Sequence, residues 1–280
     1  LVRGYGKKVL ISDFLAPFVD TAYGDAAGAG GAAMLLATVL FALQIYCDFS
    51  GYSDIAAGCA RLMGIRLTEN FRRPYAASSL RDFWRRWHIS LTRWFTDYLY
   101  IPLGGSRRGL SRQCVNTLAV FLVSGLWHGA NLTFVVWGGL HGVFLAAETV
   151  PLGRRQLASP LGRGLHRAAT LALVCLSWVF FRSADLPQAW SILRSIFTDF
   201  RLSAALTGLG MGRVELALVC LLALVLPLLE RLPALEVQAD RIRGRYAVPL
   251  LYFLLAAAIV ACRCLVLTEH GATAFIYFQF

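Results

Sequence analysis

Long apolar runs separated by arginine-rich connections constrain this sequence more than any other feature. A helix that crosses the hydrocarbon of a bilayer needs about 20 predominantly apolar residues. Candidate runs cover Ala32–Ala60, Val115–Trp127, Leu132–Val150, Ala168–Phe181, Val214–Leu229 and Ala247–Leu267. Several are short, and short segments in a polytopic protein are often re-entrant or packed against neighbours rather than facing lipid. Hydrophobic residues make up 58% and charged residues 15%, with a mean hydropathy of +0.60, whereas soluble domains carry about 25% charged residues. A soluble fold has too little interior to hide that much apolar surface. The expectation is an all-α polytopic membrane protein with five to seven membrane segments and no soluble domain, residues 1–280 forming a single membrane domain.

The formal net charge is +11, and Lys7 and Lys8 are the only lysines. In a soluble protein such a balance suggests nucleic acid. Here the arginines cluster between the apolar runs, as they do in cytoplasmic loops, so no nucleic-acid partner is expected. Residues 61–112 hold eleven arginines against Glu69, Asp82 and Asp97, which marks this stretch as a cytoplasmic or re-entrant segment. Alternating outward places Leu152–Arg167 inside, Arg182–Arg213 outside, Arg231–Arg245 inside and the tail outside. The first twenty residues, with Lys7-Lys8 among apolar neighbours, suit an interfacial helix or the end of a preceding span. The chain opens Leu1-Val2-Arg3-Gly4, without an initiator methionine or a signal peptide, and reads as the later part of a longer protein.

An ionisable group at bilayer depth is costly, so it marks a functional site by default. His128 ends the run Val115–His128 and is flanked by Gly125-Leu126-Trp127 and Gly129-Ala130-Asn131; small residues there permit close approach of backbone or substrate. His141, in Trp137-Gly138-Gly139-Leu140-His141-Gly142, reads as an interhelical hydrogen-bond partner, and His166 and His270 as solvated. The first run carries Gln44, Tyr46, Asp48, Ser50, Tyr52, Ser53 and Asp54. A separation of six does not put Asp48 and Asp54 squarely on one helical face. Pairing of these carboxylates with Arg85 or Arg86 is therefore expected over direct chemistry. The stretch Arg81–Leu91, RDFWRRWHISL, mixes tryptophan and arginine as headgroup-level segments do. Alternatively, Arg85 and Arg86 meet an anionic donor. The seven cysteines lie mostly in apolar runs, and only Cys262 and Cys264 are close together, so neither a metal site nor a disulfide framework is expected.

Four ordered segments carry a resemblance: Asp48–Asp54, Phe83–Leu91, Gly125–Ala130 and the ending Phe275–Phe280. Together they resemble the bacterial branch of the membrane-bound O-acyltransferase family, and in particular its alginate-acetylating members, whose sister group D-alanylates teichoic acid. The likeness runs from about Lys7 to Phe280, and the amino-terminal part of such a protein is missing. The resemblance implies a helical bundle with an intramembrane tunnel in the bacterial inner membrane. It maps the family's catalytic histidine onto His128 and its second motif histidine onto His88.

The implied reaction moves an acetyl group from a cytoplasmic donor, acetyl-CoA, toward hydroxyls of an extracytoplasmic polysaccharide, with no bound cofactor and with periplasmic proteins completing the transfer. An imidazole, with a pKa of about 6.5, suits a general base acting on a hydroxyl. His128 is the expected base. His88 is expected to orient the donor carbonyl or stabilise the oxyanion, with Arg85, Arg86, Trp87, Trp127 and Asp48 as substrate contacts. Acyl transfer to teichoic acid, peptidoglycan or lipid is the nearest alternative. A transporter is the alternative from another class, since intramembrane polar residues also line transport paths, although no inverted repeat of spans is visible.

Overall fold

The computed structural model describes residues 1–150, 159–239, 250, 252–258 and 260. Every regular element among them is helical. In chain order the α-helices are α1 (Val2–Tyr5), α2 (Asp13–Gly24), α3 (Ala26–Ala29), α4 (Gly31–Leu62), α5 (Leu80–Trp84), α6 (Ile89–Phe95), α7 (Leu110–His128), α8 (Leu132–Thr149), α9 (Pro160–Arg182), α10 (Leu186–Thr198) and α11 (Arg213–Ala239). Two π-helical turns, Gly6–Ser12 and Thr96–Tyr100, follow α1 and α6. The chain divides into two compact units. One combines Leu1–Thr68 with the described residues from Arg201 onward, and the other is Glu69–Phe200.

Among the described residues three helices, α4, α8 and α9, are long and apolar enough to cross a membrane; Leu202–Leu209 with Arg213–Pro227, bent by 89°, makes a fourth if counted as one span. The expected run Val115–Trp127 is helical within α7, but the polar residues Ser111, Arg112, Gln113 and Asn116 occupy that helix's first two turns. Of the expected run Ala247–Leu267, residues 250, 252–258 and 260 are described and are helical; its other residues, Cys262, Cys264, His270, the ending Phe275–Phe280 and parts of the two expected inside segments (152–158 and 240–245) lie outside the described residues.

In the first unit, burial of the polar face of α4 is achieved by charge pairing within the same unit. Lys8 Nζ lies 2.7 Å from Asp48 Oδ1 and 2.8 Å from Asp13 Oδ1, all three side chains being buried. Ser12 Oγ donates to the same Asp48 oxygen at 3.3 Å. Asp54 is paired with Lys7 Nζ at 2.9 Å and with Arg3. The expected partners Arg85 and Arg86 are thus replaced by Arg3, Lys7 and Lys8. The physical reason is proximity: the helical stretch from α1 to α2 packs along α4 and brings three cations to its two carboxylates. Breaking one member of such a pair would strand a buried charge, which is strongly unfavourable. Lys7 and Lys8 therefore look inward, and the opening segment is packed protein rather than an interfacial anchor.

The second unit is organised by the α7–α8 hairpin. Its two backbones touch at glycines. A Cβ added at Gly138 would lie 2.2 Å from the Phe121 carbonyl oxygen, and one at Gly125 2.3 Å from that of Phe134. Small residues allow such approach where helices associate without a hydrophobic driving force. The connection is short: α7 ends at His128, and Asn131 caps α8 by accepting from Thr133 N at 3.1 Å. Asn131 Nδ2 also donates to the Ala184 carbonyl at 2.6 Å, tying the hairpin tip to the α9–α10 corner. His128 is thereby fixed at a braced helix end.

Candidate active site

The segment bearing His88 is held by its own hydrogen bonds. Ser79 caps α5 by accepting from Asp82 N at 3.1 Å, and the Glu148 carboxylate accepts from Leu80 N at 2.6 Å and Arg81 N at 3.1 Å. A carboxylate satisfying orphan donors at a helix start is favourable, and here it ties α5 to α8. After α5 the chain turns through Arg85–Trp87 into His88, whose backbone is left-handed at φ 45° and ψ 54°. Such a conformation is uncommon for a residue with a side chain and is tolerated where surrounding contacts enforce it. Two of those contacts are backbone bonds, Arg72 N to the Arg86 carbonyl at 2.9 Å and Ile89 N to the Asn70 carbonyl at 3.0 Å.

Asn70 also sets the tautomer of His88. Its Oδ1 accepts from Ser90 N at 3.1 Å and from Ser90 Oγ at 2.9 Å. A peptide N–H can only donate, so this amide atom is the oxygen, and His88 Nδ1, 3.3 Å away, must carry the proton. The imidazole is buried, 9% exposed, and lies outside the segments apolar enough to span. Burial first, and then the neighbouring His128, push its pKa down to about 3, since both disfavour the cation.

His128 stands among aromatic rings. Its ring centre is 5.0 Å from Trp137, 5.4 Å from Phe181, 5.0 Å from Trp127 and 6.4 Å from Phe134. The wall continues through stacked Trp137 and Trp178 at 6.0 Å, Trp178 and Trp87 at 5.2 Å, and Trp87 and Phe83 at 5.5 Å. His141 forms the floor. Trp84 Nε1 donates to His141 Nδ1 at 3.2 Å, so Nε2 is the protonated nitrogen and donates to Ser177 Oγ at 2.8 Å, which in turn donates to the Val174 carbonyl at 2.7 Å. Both nitrogens are spent joining α5, α8 and α9. His141 thus has the interhelical role its sequence context suggested.

Six of the seven residues singled out as a site lie in this unit, and Asp48 belongs to the other. Trp87 is a buried wall residue, while Trp127 is 52% exposed. Arg85 is exposed. Arg86 Nε is paired with Asp82 Oδ1 at 2.8 Å, one helical turn back. Asn70, Trp137 and Glu148 were not singled out. Asn70 and Glu148 act across 18 and 68 residues of sequence, and no spacing pattern announces either. Trp137 carried one signal, a tryptophan followed by two glycines and by a histidine one turn further on. The described residues contain no group of three or more His, Cys, Asp or Glu able to hold a metal.

The fold and this site define an all-α membrane protein with two histidines, His88 and His128, in one unit, His128 ringed by aromatic side chains. The sequence model of the membrane-bound O-acyltransferase family matches residues 2–183, and the chain belongs to that family. It is similar to the probable alginate O-acetylase AlgI of Pseudomonas aeruginosa, 42% identical over 226 residues, covering 79% of this chain and 43% of that protein. The protein of the same name from Pseudomonas putida is 37% identical over 296 residues, covering 100% of this chain and 60% of its own length. The peptidoglycan O-acetyltransferase of Helicobacter pylori is 39% identical over 194 residues, 69% of this chain and 37% of that protein. The chain thus spans less than two thirds of the length of each.

Proposed function

We propose that the whole protein to which this chain belongs is an inner-membrane O-acetyltransferase, moving acetyl from cytoplasmic acetyl-CoA toward hydroxyls of an alginate-like polysaccharide outside. The observation that carries the reading is His128 at the end of a glycine-locked hairpin, ringed by Trp127, Phe134, Trp137 and Phe181, in the same unit as His88. In the proposed reaction the acceptor hydroxyl gives its proton to the His128 imidazole as its oxygen attacks the thioester carbonyl. The C–O bond forms, the C–S bond breaks, and the CoA thiolate takes the proton back from His128. His88, with Nδ1–H held by Asn70, presents Nε2 as an acceptor that orients a donor or acceptor hydroxyl. Removing or supplying a proton at a positioned imidazole contributes on the order of 10²–10⁴ in rate.

Arg85 and Arg86 lie on the arginine-rich segment assigned to the cytoplasm and are proposed contacts for the donor's phosphates. Periplasmic acetyl-transfer proteins are the proposed partners that carry the group to sugar. Peptidoglycan is the second acceptor to consider, favoured by the 39% identity to the Helicobacter pylori protein. The test is His128→Ala in the full-length protein, reconstituted with labelled acetyl-CoA. The expected result is loss of acetyl transfer with membrane insertion intact. Wild-type transfer by the variant would retire the general-base role.

A further inference from the structure

Resting on the acyl-transfer reading, the geometry points to Trp137 as a catalytic hydrogen-bond donor, its indole N–H binding the acyl carbonyl oxygen as negative charge develops there, with the Thr133 hydroxyl as a second donor. Trp137 is 1% exposed, and its Nε1 has no hydrogen-bond partner in the protein. Thr133, one helical turn earlier on the same face of α8, is fully buried, and its Oγ1 is likewise unpartnered. Buried polar groups are normally paired, and each exception calls for an explanation. The neighbouring aromatic Trp84 shows the ordinary outcome here, since its own indole N–H is donated to His141. Trp137 differs in standing beside the reacting base, its ring perpendicular to that of His128 with centres 5.0 Å apart.

The missing partner has a definite chemistry. A buried donor with no partner within the protein suits an oxygen that is a carbonyl in the donor and an oxyanion in the tetrahedral intermediate. When the acceptor oxygen bonds to the thioester carbon, the carbonyl π electrons move onto that oxygen, where the two donors meet them. They return as the C–S bond breaks, and the proton held by His128 leaves with the thiolate. The His128 nitrogen that takes the hydroxyl proton cannot at the same moment donate to the oxyanion, and the ring's other nitrogen points away from that edge. A separate neutral donor beside it fills that role.

Trp137→Phe removes the N–H and keeps an aromatic ring, and Thr133→Val removes the hydroxyl at nearly constant volume. Both variants are made in the full-length protein and assayed with acetyl-CoA by release of the CoA thiol in the presence of acceptor polysaccharide, alongside thermal unfolding in the same detergent. The expected result for Trp137→Phe is a kcat lower by about a hundredfold, KM for acetyl-CoA within twofold, and an unfolding temperature equal to or above wild type, because a buried unsatisfied donor has been deleted. Thr133→Val should lower kcat about tenfold with the same stability pattern. An unchanged kcat in Trp137→Phe, or a fall in kcat matched by a fall in folded protein, would overturn the donor role while leaving acyl transfer standing. A wild-type protein that transfers no acetyl would remove the underlying reaction and the donor role with it.

Discussion

Replacing Gly138 by alanine should weaken the fold, whereas the same change at its neighbour Gly139 should not. The two positions are adjacent on α8 and chemically identical, so helix propensity favours alanine equally at both, by about 0.8–1.0 kcal/mol. What separates them is the space for one methyl group. At Gly138 the new Cβ would lie 2.2 Å from the Phe121 carbonyl oxygen and 3.2 Å from Gly125 N, both rigid backbone atoms of α7. At Gly139 it meets only the end of the Leu122 side chain at 3.5 Å, an ordinary contact. Relieving the first clash requires the helices to part by about 1 Å, and a gap of that size forfeits roughly half of the dispersion well for the atoms along the seam. Overpacking of this kind costs about 1–3 kcal/mol. After the propensity gain, Gly138→Ala should lose up to about 2 kcal/mol, while Gly139→Ala should be neutral or gain up to about 1 kcal/mol. Unfolding of both variants in one detergent measures the difference. Activity should follow, since His128 is the last residue of the displaced helix. Equal stabilities for the two variants would refute the argument that backbone contact at Gly138 locks the hairpin.

Glu148→Ala leaves two amides at the start of α5 without their acceptor and should cost about 1.5–3 kcal/mol, with Glu148→Gln roughly half as harmful; unfolding measurements showing both within 0.5 kcal/mol of wild type would contradict the capping role. His88 has a folded pKa below its unfolded value of about 6.5, so the unfolded chain binds its proton first. Its contribution to stability is fully present above pH 6.5 and is lost as pH falls from there toward 3, with a slope of at most about 1.4 kcal/mol per pH unit. A His88→Gln variant should therefore show a shallower loss of stability than wild type between pH 6.5 and 5, and parallel curves would count against burial of a neutral imidazole. A cysteine placed at Arg107 should be labelled by an impermeant reagent only when the cytoplasmic face is opened, and labelling on intact spheroplasts would reverse the proposed orientation.

Much of this architecture is legible in one dimension. Apolar length and arginine clustering report transfer free energy and loop charge residue by residue, which is why the helices α4, α8 and α9 and the all-α class could be read directly. Pairing is another matter. Asp48 had many cations to choose from, and nothing in its spacing favoured Lys8, 40 residues away, over Arg85 or Arg86. Packing of the opening helical stretch along α4 decided it. Likewise Asn70 beside His88, Glu148 capping α5, and the unpaired Trp137 beside His128 exist only once the chain has brought distant segments within reach. The sequence by itself determined which stretches cannot live in water and which titratable residues sit among them, because those depend on local transfer energies. Only the tertiary structure decided which buried polar group is satisfied and by whom, because many candidate partners are chemically equivalent until packing brings one of them within about 3 Å.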